Sequence, residues 1–73
     1  MTEKKKLWEK GSNHYKKFCI QPAKFINENK LLFAEGNVIK YICRHSEKGK
    51  AEDIRKAIHY CEMILERDYA RTN

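Results

Sequence analysis

A chain of 73 residues and 8.8 kDa has room for one domain. Surface scaling allows such a chain to bury only about 60 % of what it exposes unfolded, so its core is marginal and association of copies is an ordinary remedy. Length excludes an enzyme built on its own Rossmann or barrel fold, and 41 % hydrophobic with 36 % charged residues excludes a disordered chain. Of the net charge of +6, most sits in residues 1–17, where six lysines face two glutamates. A lysine-rich start of this kind, with Trp8, Tyr15 and Phe18 nearby, attracts polyanions and keeps nucleic acid open as a partner. Cys19, Cys43 and Cys61 are odd in number and form no CxxC pair, which points to a reducing cytoplasm. No apolar run reaches the length of a membrane span.

In chain order, residues 1–13 read as a flexible basic tail closing on the turn cluster Gly11-Ser12-Asn13, and residues 14–73 as one helical domain. Pro22 suits the first turn of a short helix, where its missing N–H costs nothing. Ala23, Phe25 and Ile26 would be the buried face of that helix, which stops near Asn29-Lys30, and Leu31, Leu32 and Phe33 would be a short apolar connector. A second, medium helix is expected over 34–45, with Val38, Ile39, Ile42 and Cys43 as its apolar stripe. Residues 46–50 break the pattern. A long C-terminal helix follows over 51–69, with Ile54, Ala57, Ile58, Cys61, Ile64 and Leu65 at three- and four-residue steps and Glu52 and Asp53 at its electropositive end. No segment alternates with period two, so the expected fold is all-α, three helices with a tail, and oligomeric.

Polar residues form stripes of their own. Asn37, Lys40, Tyr41 and Arg44 share one face of the second helix, and Asp53, Lys56 and Tyr60 one face of the third. A short loop should pack these helices antiparallel and let the stripes converge. Lys40, Arg44 and Lys56 would then hold phosphate oxygens. Asn37, Tyr41 and Tyr60 would contact a base or sugar, and Asp53 would orient Arg44 or a ribose hydroxyl. The plainer alternative is an Arg44–Asp53 ion pair with solvated lysines. His14 is the candidate for proton transfer. Cys43-x-His45 and His59-x-Cys61 place their members roughly 200° apart on a helix and cannot chelate from one face, so no metal is expected and both cysteines read as small core residues. Three glycines cannot build a phosphate-binding P-loop, and the ExxE and ExxD magnesium pattern of helical nucleotide pyrophosphatases is absent. Gly49 reads as a turn residue, and Gly36 as a place where a ligand or helix comes close.

The order His14-Tyr15, Pro22, Phe25-Ile26, Gly36-Asn37-Val38-Ile39-Lys40-Tyr41, Arg44, Lys48-Gly49, Glu52-Asp53, Lys56-Ala57 and Tyr60 resembles a family of small domains of tailed bacteriophages. That family occurs in the C-terminal part of a phage nucleotide kinase and as short free-standing proteins, and the resemblance covers about residues 14–66. It implies a nucleotide or related phosphate compound as ligand. As an enzyme, the chain would transfer a phosphoryl group from ATP to deoxynucleoside monophosphates without a metal. As a binder, it would sequester a nucleotide in the host cytoplasm. A small nucleic-acid or protein adaptor working through the lysine-rich tail is the third reading.

Overall fold

The computed structural model describes residues 17–69, which form three helices and no strand. They are α1 (Pro22–Glu28), α2 (Phe33–Arg44) and α3 (Lys50–Asp68). The expected all-α, three-helix order of short, medium and long is the one observed. The expected tail over 1–13 and His14 lie outside the described residues. Among the described residues, no helix is long and apolar enough to cross a membrane.

Pro22 opens α1, where its ring supplies the helical φ and no donor is wasted, and it is the buried residue of that helix. The helix ends on a Schellman-type closure. Lys30 takes a left-handed φ of 54° and the Leu31 N–H donates to the Ile26 carbonyl at 3.1 Å. The expected inner face of α1 needs correction: Ala23 is exposed and Phe25 is 44 % exposed. The reason is that α1 meets α2 over a short stretch, with Ile26 against Gly36. A single turn of contact cannot cover three side chains.

That approach requires glycine at position 36. A Cβ there would stand 3.0 Å from Ile26 Cγ2, tighter than side chains normally come. Glycine inside a helix costs about 1 kcal/mol against alanine, and here the cost is offset by the contact it permits. Gly36→Ala is therefore expected to be near neutral. Gly36→Val adds two methyl groups that cannot fit and should lower stability by about 1–3 kcal/mol. Thermal melts followed by circular dichroism distinguish the two.

The α2–α3 pair carries the rest of the packing, joined by the turn 45–49. Lys48 and Glu47 N–H groups return to the Arg44 carbonyl, and the Lys50 N–H donates to the His45 carbonyl at 2.7 Å. Lys50, not Gly49, takes the left-handed conformation, with φ of 51°. Gly49 keeps φ −87° and is needed for space instead of conformation. Where α2 and α3 meet, the buried residues are small or charged: Ala34, Ala57 and Asp53. At the far end Arg67 of α3 reaches Glu35 at the start of α2, and also pairs with Asp68.

The two apolar stripes are less buried than their periodicity predicts. Ile42, Ile58 and Leu65 are about half exposed (48 %, 52 % and 56 %), and Cys61 is exposed. Cys61 is thus not a core residue of the single chain. Cys43 is half-buried, and its desolvated thiol is pushed above the usual range. With only two faces meeting, a stripe wider than the contact leaves its outer edge bare.

Candidate functional site

The polar stripes of α2 and α3 do converge. Arg44, the last residue of α2, and Asp53, in the first turn of α3, face each other across the turn. Arg44 Nε donates to Asp53 Oδ2 at 2.8 Å and Nη2 to Oδ1 at 3.1 Å, a two-pronged pair. The Gly49 N–H donates to the same Oδ2 at 3.1 Å. A Cβ on Gly49 would lie 2.1 Å from this carboxylate, so only glycine lets the carboxylate sit against the backbone. Asp53 is 1 % exposed. The Arg44 guanidinium holds its carboxyl below the ordinary 3.8, against the opposing effect of burial, with smaller help from Gly49 and Lys56.

This pair occupies both prongs of Arg44 and both oxygens of Asp53. Of the two roles expected of Asp53, orienting Arg44 matches the geometry, whereas a ribose hydroxyl has no exposed oxygen to reach. Arg44 contributes its charge from a fixed position and keeps 19 % of its side chain exposed.

Above the pair, Tyr41 of α2 and Tyr60 of α3 stack with centroids 6.0 Å apart and planes within 9°. Three cations surround the Tyr41 ring: Arg44 Cζ at 5.0 Å, Lys40 Nζ at 5.1 Å and Lys56 Nζ at 5.3 Å from its centroid. Each is drawn to the ring face by about 0.5–1 kcal/mol, while the cations repel one another. With Asp53 the group carries a net charge of +2. Neither ammonium group has a carboxylate partner among the described residues.

Beside the cations lies an open, largely apolar hollow of about 260 Å³ between α1 and α2. Ile26, Leu31, Leu32 and Phe33 line it, with Asn37 and Lys40 among its polar lining. Asn37 is held by its Nδ2, which donates to the Phe33 carbonyl at 3.0 Å. Lys40 therefore belongs to both features, at the hollow and over the Tyr41 ring.

Six of the residues expected at the site, Lys40, Tyr41, Arg44, Asp53, Lys56 and Tyr60, form this one cluster. Asn37 borders it through the hollow, and His14 lies outside the described residues. Phe33 was expected in a connector, yet it opens α2, is 72 % exposed, and meets Tyr60 edge-on at 5.8 Å. Its signal was available: it stands four residues before Asn37 and continues the same helical stripe. Gly49 as the backbone donor to Asp53 had no sequence signal beyond a turn. Among the described residues no group of three metal-ligating side chains occurs.

Compared with known protein families, residues 9–62 match a family model described as "Protein of unknown function (DUF3310)". No curated protein and no solved structure matches the chain.

Proposed function

The chain belongs to the DUF3310 family, and we propose that it is a nucleotide-binding protein of the phage type that takes its ligand at the Tyr41 cluster. The observation that carries this reading is the crowding of Lys40, Arg44 and Lys56 around one tyrosine ring, with Asp53 the carboxylate paired there among the described residues. Like charges gathered at this range are relieved by an anion, and two mobile ammonium groups with a fixed guanidinium behind them suit phosphate oxygens. The adjoining hollow of about 260 Å³ is just below the size that holds a drug-sized ligand, and fits one ring system against Phe33 and Leu32. A base in the hollow and phosphates over Lys40 and Lys56 use both features at once. The resemblance to the domain of a phage nucleotide kinase supports the same ligand class, and a phage protein of this kind would act in the cytoplasm of an infected cell.

Sequestration is the form of this function that the described residues support best. Asp53 is held ionised, with its oxygens engaged by Arg44 and Gly49, so it offers no basic oxygen to an attacking hydroxyl. Phosphoryl transfer from ATP to a deoxynucleoside monophosphate is the alternative, with His14 as the proton acceptor. It needs in-line positioning and charge stabilisation, which cations can supply.

The test is incubation of the protein with ATP and a panel of deoxynucleoside monophosphates, with and without EDTA. Filtrate and heat-released retentate are then separated by chromatography. Unchanged nucleotides enriched in the retentate are the expected result. New diphosphates persisting in EDTA would establish phosphoryl transfer instead. Unchanged nucleotides without enrichment would overturn both readings.

A further inference from the structure

Helix α3 carries two faces, and the α2–α3 packing uses one of them. Asp53, Ala57 and Tyr60 meet α2. A second row, Ile54, Ile58, Cys61 and Leu65, runs along the helix in steps of four, three and four. That is a heptad spacing, which drifts only about 20° around a helix over seven residues and so makes a nearly straight seam. The seam is open: Ile58 is 52 % and Leu65 56 % exposed, Cys61 is exposed, and Ile54 is half-buried. Ile42 of α2 adds a further 48 % exposed isoleucine to the bare apolar surface. Against this stands a core whose buried apolar side chains, among the described residues, are Ala34 and Ala57, with Pro22 in α1. A domain that, among its described residues, buries two alanines and leaves Ile42, Ile58 and Leu65 about half exposed on one helix pair has its missing core on the outside.

We infer that this seam is the contact between two copies of the chain, α3 lying antiparallel on the partner's α3 about a two-fold axis. The spacing admits this direction. Steps of four, three and four read the same from either end, so an antiparallel copy sets Ile54 opposite the partner's Leu65 and Ile58 opposite the partner's Cys61, and all four positions are filled from both sides. Charge selects the same direction. Arg55 and Glu62 each follow a seam residue by one position, seven residues apart on the same edge, and both are exposed. The antiparallel arrangement brings Arg55 to the level of the partner's Glu62, twice per dimer. A parallel arrangement would place this edge of each helix on opposite sides of the contact, so Arg55 could not meet the partner's Glu62. A two-fold contact of this kind is closed, and leaves the Tyr41 cluster to the other face of α3.

Sedimentation equilibrium of the whole chain under reducing conditions tests the inference. A dimer is expected in the micromolar range. Ile58→Glu should give a monomer that keeps its helical circular dichroism, because the side chain is half exposed in the single chain. Arg55→Glu gives up an exposed ion pair with Glu52 on the same helix and should weaken association about five- to tenfold by setting two acidic groups against each other twice. Adding Glu62→Arg to it should restore association. A further readout is alkylation of Cys61, followed by peptide mapping, which should slow as protein concentration rises. A monomer at every concentration, with the seam covered by another part of the same chain, would overturn the inference. So would a dimer indifferent to Ile58→Glu. Failure of Glu62→Arg to rescue Arg55→Glu would overturn the antiparallel direction. None of these outcomes depends on nucleotide binding.

Discussion

Replacing Asp53 with alanine is expected to lower the melting temperature by about 10 °C or more, the largest single-residue effect in the domain. The carboxylate is 1 % exposed and receives three hydrogen bonds, two from Arg44 and one from the Gly49 N–H. Its removal leaves a largely buried guanidinium and a backbone N–H without their acceptor, at the turn that sets α3 against α2. Asp53→Asn keeps one acceptor and the shape, and should fall between wild type and Asp53→Ala. Arg44→Ala should resemble Asp53→Ala, since it strands a buried carboxylate.

The same group predicts an acid limb. Asp53 has its folded pKa below the ordinary 3.8, so the stability it contributes is present above that value and is lost as pH falls through the folded one. Glu35 and Asp68, both held down by hydrogen bonds from Arg67, act in the same sense. The melting temperature should therefore hold steady from neutral pH to about 5 and decline below about 4. Asp53→Asn should flatten part of that decline. A chain whose melting temperature is unchanged between pH 6 and pH 3 would show that the pair contributes little.

Replacing Lys40 and Lys56 together with alanine should weaken binding at the proposed nucleotide site about a hundredfold while leaving the fold intact. Each ammonium group sits within 5.3 Å of the Tyr41 centroid, and neither is committed to a carboxylate among the described residues. A charge-assisted hydrogen bond to phosphate is worth about a factor of ten or more in affinity, so each single variant should weaken binding at least tenfold and the pair about a hundredfold. The melting temperature should hold or rise slightly, because removing either lysine relieves repulsion among the three cations. Isothermal titration with a nucleotide retained in the filtration experiment checks the first expectation, and a thermal melt the second. Affinity unchanged in the double variant would move the site away from the Tyr41 ring. These lysines are cleaner probes than Arg44, whose loss also removes a structural ion pair.

A Phe33→Ala variant separates the two parts of the proposed site. The ring is 72 % exposed, so stability should change little. A ligand whose base lies in the hollow should lose affinity, whereas inorganic phosphate competing at the lysines should not.

The elements and their order are legible in local residue patterns alone. Pro22 marks the start of α1, the three- and four-residue steps from Ile54 to Leu65 mark α3, and the break over 46–50 separates α3 from α2. Helical periodicity also grouped Asn37, Lys40, Tyr41 and Arg44, and separately Asp53, Lys56 and Tyr60, because i, i+3, i+4 and i+7 share a face whatever the tertiary structure. Tertiary structure decided what those faces do. Whether Arg44 is a free phosphate ligand or the partner of Asp53 depends on the depth of Asp53, and that depth exists only because Gly49 lacks a Cβ in its way. Periodicity likewise states that Ile58, Cys61 and Leu65 are apolar and aligned, but burial is a property of two surfaces, and α2 is wide enough to cover only one side of α3. The same limit explains Phe25 and Ala23, which an amphipathic reading turns inward and a short contact around Gly36 leaves outside. Local spacing dictates which residues stand together on a helix, and only the meeting of helices, a long-range matter of shape and available area, dictates which of them leave the water.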